Sequence, residues 1–198
     1  MARQKFVFAS ANPGKLREIR EILAALDCEI VAQCELDIAS VAESGSTFVD
    51  NAIIKARHAA DQSGLAAISD DSGLLVDALE GRPGVNSARY AGEGASDDDN
   101  IDMLLAELEG LPPEERDAHY ECAAVWVSPD ASVTPLVAQG RWRGRILSSR
   151  RGEGGFGYDP VFLDLQLHKS GAEMSVEEKN RQSHRGKAFR RLGELLLR

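Results

Sequence analysis

Three features of the sequence predict a mixed α/β fold. Residues 5–10 form an apolar run without alternation, an amphipathic helix follows, and residues 29–33 read as the next strand, a βαβ-like beginning. Two strand-like segments, 120–127 and 136–145, are separated by the Pro129-Asp130 turn region and read as a hairpin added antiparallel to the sheet. Helical stretches with a single apolar stripe lie between and after these strands.

Taken in order, the first helix carries Leu16, Ile19, Leu23 and Leu26 on one stripe, with Ile22 beside them. The second opens at Thr47, with Asp50 three residues on as an imperfect capping box, and stops at Gly64. Its apolar face is Phe48, Ala52, Ala56 and Ala59, small enough for close packing on a sheet. Residues 65–69 read as a buried strand that ends in Asp70-Asp71-Ser72-Gly73. A third helix starts after Ser96, where Asp97, Asp98 and Asp99 suit the positive end of the helix dipole. Ile101, Leu104, Leu105 and Leu108 form its core face, and Gly110 followed by Pro112-Pro113 ends it. A glycine-rich loop, 152–157, leads into a short strand at 161–163. The end is helical, with a capping box at Ser175 and Glu178 and an apolar stripe of Phe189, Leu192 and Leu196.

The 198 residues suffice for one well-packed domain or two lobes sharing a core, and 43% apolar with 28% charged residues is ordinary globular composition. No stretch approaches the roughly 18–20 consecutive apolar residues of a membrane span, so no membrane partner is expected. The three cysteines, Cys28, Cys34 and Cys122, lack zinc-ligand spacing and read as reduced thiols, Cys122 in the core. Cytoplasm is the expected compartment. A net charge of −9 argues against general affinity for nucleic acid. Two basic runs, 141–151 and 179–191, are read as solvated faces unless a polyanion engages them.

Four segments can carry chemistry. In Ser10-Ala11-Asn12-Pro13-Gly14-Lys15, Asn12 is a favoured N-cap and Pro13 suits the first helical position. The N–H groups of Gly14 and Lys15 would then point out of the helix start beside an ammonium group, an anion site; the alternative is a plain strand-to-helix turn. It is not a Walker A loop, because the glycine spacing differs and Leu16 follows the lysine. Asp70-Asp71-Ser72-Gly73 falls where α/β sheets usually place ligands, and adjacent residues point to opposite sides of a strand. One carboxylate would therefore face a site while the other stays structural. Thr47, Asn51 and Lys55 share a helix face, which reads as a wet one. In the loop 154–160, glycines permit close approach to a ligand and aromatic faces can stack on a base. Residues 183–187 cap the last helix with several donors.

Together these motifs resemble the inosine triphosphate pyrophosphatase (Ham1-like) family, which acts on non-standard purine nucleoside triphosphates. The matching elements are Ser10 to Lys15, Gly45-x-Thr47-Phe48-x-Asp50-Asn51-Ala52-x-x-Lys55-Ala56 and Asp70-Asp71-Ser72-Gly73-Leu74. Gly81-x-Pro83-Gly84-Val85-x-Ser87-Ala88-Arg89-Tyr90-Ala91-Gly92, Gly154 to Phe162 and Ser183 to Lys187 follow in family order. A Maf-like nucleotide pyrophosphatase shares the reaction but not the combination of the last two elements. A nucleotide sensor without hydrolysis is disfavoured by intact Lys15, Glu43 and Asp71.

The resemblance implies a single catalytic domain over residues 1–198, elongated and two-lobed around a substrate cleft, and a homodimer. It implies magnesium-dependent hydrolysis of ITP, dITP, XTP or dXTP to the monophosphate and pyrophosphate. Ser10, Ala11, Asn12, Pro13, Gly14 and Lys15 would bind the triphosphate. Glu43 and Asp71 would hold the metal, Asp71 would accept the proton, and Lys55 would serve in the phosphate region. Ser72, Phe156, Gly157, Tyr158, Asp159, Lys179, His184 and Arg185 would contact the substrate. Two positions depart from the family pattern: Asp50 stands where Glu is common, and Ala42 precedes Glu43 where some relatives have an acidic pair.

Overall fold

A computed structural model describes residues 4–24 and 26–197. Strand β1 (Gln4–Phe8) buries Phe6, Val7 and Phe8 and pairs in parallel with β2 (Cys28–Ala32), Phe6 opposite Ile30. Between them runs α1 (Pro13–Ile22). The helix stops three to four residues before the end of the apolar stripe, since Leu23 is its C-cap, yet Leu23 and Leu26 still pack in the same core. Helix α2 (Phe48–Ser63) has Thr47 as N-cap, accepting the N–H of Asp50, and ends at Gly64, whose φ of 69° is the left-handed stop that glycine adopts without strain. Its buried side chains include Phe48, Ala52, Ala56 and Ala59, as the stripe requires.

Strand β3 (Ala66–Val76) pairs in parallel with the other edge of β1. It does not end at the acidic pair as the sequence suggests. Leu74 and Val76 continue the alternation into a buried core, so the strand runs through Asp70-Asp71-Ser72-Gly73. Helix α3 (Asp97–Glu107) opens on a full capping box, Ser96 with Asp99. Ile101, Leu104 and Leu108 are buried, with Leu105 packed partly against them. Strands β4 (Asp117–Val127), β5 (Leu136–Ile146) and β6 (Phe162–Asp164) complete a sheet of order β2-β1-β3-β4-β5-β6. Because β1 pairs in parallel and β5 pairs with β6 antiparallel, the sheet is mixed. Helices α4 (Val176–Gln182), capped by Ser175 and Glu178, and α5 (His184–Leu196) close the chain.

The chain divides into two compact units, each with its own core. The first comprises Met1–Asp71, Cys122–Gly140 and His184–Arg198, and its core is built on Phe6, Phe8, Ile19, Ile68, Cys122, Phe189 and Leu192. The second comprises Ser72–Glu121 and Arg141–Ser183. There Tyr120, Trp142 and Phe162 pack together, both Tyr120 and Trp142 lying 4.7 Å from the Phe162 ring centre, and the Trp142 indole N–H donates to Asp164 at 2.7 Å. Among the described residues no helix is long and apolar enough to cross a membrane.

In the first unit, Gly140 is where β5 meets α5 backbone to backbone. A Cβ there would collide with the His184 carbonyl oxygen and lie 2.7 Å from the Ala188 nitrogen. Neither contact can be relieved by rotating a side chain. Gly140→Ala is therefore expected to lower stability by about 1–3 kcal/mol, the usual range for overpacking, measured as a lower urea midpoint at unchanged slope.

Candidate active site

The Ser10–Lys15 loop lies in the first unit, at the junction of β1 and α1. Asn12 is the N-cap and Pro13 the first helical residue, as the sequence requires. The N–H groups of Gly14 and Lys15 do not point outward, however. Both donate to Asn12 Oδ1, at 2.8 and 3.1 Å, because a capping asparagine satisfies the orphan donors of its own helix. Ser10 Oγ accepts the Asn12 N–H at 3.2 Å, and Ala11, Asn12 and Pro13 are exposed. The loop's positive charge is carried by the Lys15 ammonium, which is 3.0 Å from Asp70.

Alternation along β3 sends Asp70 and Asp71 to different partners. Asp70, fully buried, lies between Lys15 and Arg185, the latter at 3.2 Å, and Arg185 also donates to Glu18 at 2.7 Å. Burial alone would raise the Asp70 pKa, but Lys15, Arg185 and Lys55 reverse this and hold it well below the usual carboxylate range. Asp71 lies 3.0 Å from the Lys55 ammonium and accepts from Asn51 at 3.3 Å. Burial raises its pKa, Lys55 opposes this, and Glu43 adds to the rise, so the net shift is upward. Lys55 also lies 2.7 Å from Glu43. Burial would lower the lysine, but the carboxylates of Asp71, Asp70 and Glu43 hold it protonated, above its ordinary value.

The face carrying Asn51 and Lys55 is therefore not the wet face that its polarity suggests. Asn51 is buried, donating to Asp71 while its Oδ1 accepts the Gly45 N–H at 2.8 Å. Two members of this cluster escape sequence reasoning. Glu18 stands three residues after Lys15, hence on the same side of α1, and that spacing is the one signal for it. Asn51 stands four before Lys55 and is masked by the polar character of the whole face.

Four carboxylates face three cations in this cluster, and two of the carboxylates, Glu43 and Asp71, converge on one ammonium. Among the described residues no group of three or more His, Cys, Asp or Glu side chains gathers as a metal cage. A pair of converging carboxylates nonetheless fits magnesium, which takes one or two protein carboxylates and completes its shell with phosphate oxygens and water.

The second unit holds Ser72, Phe156, Gly157, Tyr158, Asp159 and Lys179. Tyr158 is buried and its hydroxyl donates to the Ser87 carbonyl at 2.9 Å. The Gly157 N–H donates to Asp97 at 2.6 Å. Lys179 lies 2.6 Å from Asp159 and 4.4 Å from the centre of the Phe156 ring. His184 and Arg185 belong to the first unit, at the start of α5, and both are buried. The basic run 141–151 is engaged by carboxylates: Arg141 with Glu121, Arg145 with Asp117, Arg150 with Asp102 and Arg151 with Glu173. All three cysteines are free thiols, and Cys122 is in the core.

Residues 6–195 match the sequence model of the Ham1 family. The chain is 55% identical over 186 residues to a dITP/XTP pyrophosphatase of Methylococcus capsulatus, covering 94% of this chain and 92% of that one. It is 53% identical over 189 residues to the dITP/XTP pyrophosphatase of Erwinia tasmaniensis, covering 96% and 92%. Among solved structures it resembles a HAM1 protein from Coxiella burnetii, with a TM-score of 0.90 and 43% identity over 98% of each chain.

Proposed function

The chain belongs to the Ham1 family, and on that premise we propose that it hydrolyses non-standard purine nucleoside triphosphates, dITP, ITP, XTP and dXTP, to the monophosphate and pyrophosphate. The observation that carries this reading is the convergence of Asp71 and Glu43 on Lys55, at 3.0 and 2.7 Å, in the same unit as the Lys15 loop. The whole chain is taken as one catalytic domain that works as a homodimer on the cytoplasmic nucleotide pool.

Glu43 and Asp71 would hold magnesium, which when bound supplies positive charge to the triphosphate oxygens. Asp71, oriented by Asn51 and Lys55, takes the proton of the water that attacks the α-phosphorus. Lys15 and Lys55 stabilise the negative charge that builds on the departing pyrophosphate, and Lys55 is kept fully protonated for that task. Asn51 fixes the orientation of the Asp71 carboxylate. Donors of the His184-Arg185 segment, in the first unit, would pair with a 6-oxo group of the base but not with the amino group of adenine.

A site built for an oxo acceptor rejects an amino group by leaving buried donors unpaired, and such discrimination reaches on the order of 10⁴-fold. With magnesium present, dITP and XTP are expected to turn over fast and dATP slowly, with monophosphate and pyrophosphate as products. Equal rates on dITP and dATP would refute the account of base selection. Diphosphate and orthophosphate as products would refute attack at the α-phosphorus.

A further inference from the structure

In the first unit, Glu43 stands on a stretch that regular structure does not hold. Among the described residues, none of 39–46 lies in a helix or strand or shares a backbone–backbone hydrogen bond. Ala39, Ser40, Ala42, Ser44 and Ser46 are exposed, so burial does not fix the stretch either. Side chains hold it instead, and three of them share one stripe of α2. Asn51, Lys55 and His58 are spaced four and three residues apart, one above another on the helix. Asn51 Oδ1 accepts the Gly45 N–H at 2.8 Å, and the Lys55 ammonium lies 2.7 Å from Glu43. His58 Nε2 lies 2.9 Å from the Ala39 carbonyl oxygen, and since a carbonyl only accepts, that nitrogen carries the proton. The stretch therefore runs antiparallel along the stripe, Ala39 against His58, Glu43 against Lys55 and Gly45 against Asn51. Just after β2, the buried Gln33 adds a further tie, donating to Ser40 Oγ at 3.1 Å.

We propose that His58 and Gln33 are positioning residues for Glu43: they pin the start of the 39–46 stretch, as Asn51 pins its end, and so hold the Glu43 carboxylate beside Lys55 and Asp71. The proposal rests on the reading above, in which Glu43 and Asp71 hold the magnesium of a pyrophosphatase. His58 is one turn beyond Lys55 on α2 and its bond is to backbone, so it acts on the metal through the loop alone. With Lys55 as the sole tie, an exposed stretch would bring Glu43 to the metal only part of the time, and the freedom lost on binding would weaken the site. Tying both ends removes that loss in advance. Groups that orient a metal ligand in this way alter affinity by about 10–100-fold.

The test compares wild type with His58→Leu, His58→Gln and Gln33→Leu. Leucine keeps most of the bulk and removes the donor, while glutamine returns an N–H near the position of Nε2. Two quantities are read: backbone ¹⁵N order parameters of the metal-free, ligand-free proteins, and the magnesium concentration for half-maximal dITP hydrolysis. In wild type the order parameters across 39–45 should be near the rigid value of about 0.85, and in His58→Leu they should fall below about 0.6 while those of α2 are unchanged. The magnesium requirement should rise about tenfold in His58→Leu, with kcat at saturating magnesium within about twofold of wild type. Gln33→Leu should show the same pattern, and His58→Gln should restore both quantities. An unchanged magnesium requirement, a loss confined to kcat, or a glutamine variant as impaired as the leucine one overturns the proposal. A wild-type protein inert toward dITP would refute the pyrophosphatase reading instead. The order parameters need neither metal nor substrate and would still decide the tether: values across 39–45 unaltered in His58→Leu overturn it.

Discussion

Asp71→Asn is expected to lower kcat for dITP by on the order of 10²–10⁴-fold, the usual contribution of a positioned general base, without unfolding the protein. Both halves follow from the surroundings of the residue. Asparagine keeps the shape that accepts from Asn51 and faces Lys55, but it cannot take a proton. Lys55 is not stranded by the change, since Glu43 remains 2.7 Å away. The direction of the Asp71 shift adds a second expectation. A carboxylate whose pKa is raised on folding has its ionised form disfavoured by the fold, so at neutral pH it subtracts from stability. Replacing it with a neutral isostere should leave stability unchanged or slightly increased, the signature of a group kept for chemistry rather than for folding. Near-normal turnover by Asp71→Asn would remove it from the base role.

Much of this arrangement is legible in the sequence because local rules are obeyed there. Thr47, Ser96 and Ser175 cap the helices that follow them, Pro13 and Gly64 sit where helix ends want them, and apolar stripes mark the buried faces. What is not legible depends on long-range contact. The end of β3 is misplaced because an acidic pair looks like a turn, and it is Lys15, Arg185 and Lys55, from other segments, that make the two carboxylates tolerable inside a strand. The Asn51–Lys55 face looks solvated for the same reason: its partners, Asp71 and the Gly45 amide, lie in segments that periodicity does not connect. The outward N–H groups expected at Gly14 and Lys15 are lost to a purely local competitor, the Asn12 side chain, whose capping role the sequence does show. Arg185 reads as one donor among several at a helix start, yet it is the buried partner of two carboxylates.

The neighbouring carboxylate should behave in the opposite way. Asp70→Asn is expected to cost about 3–5 kcal/mol of stability, the range for breaking a buried ion pair from one side, read as a large fall in the urea midpoint at pH 7. The cost arises less from the lost attraction than from what remains, an Arg185 guanidinium out of water with one carboxylate where it had two, and a Lys15 deprived of its anchor. The pH dependence fixes the sign. The Asp70 pKa is lowered on folding from its ordinary 3.8, so its contribution is fully present above about that pH and is lost as pH falls through the lowered folded value. Wild type should therefore lose stability steeply below pH 4, and the variant should show a shallower slope there from its lower starting point. A variant within about 1 kcal/mol of wild type, with the same acid slope, would show that the Lys15–Asp70–Arg185 chain is not what holds the start of α1 against α5. If instead Asp70→Asn loses stability and Asp71→Asn loses turnover, one pair of variants separates two adjacent aspartates whose pKa values shift in opposite directions: the lowered one would sustain the fold and the raised one would serve the reaction.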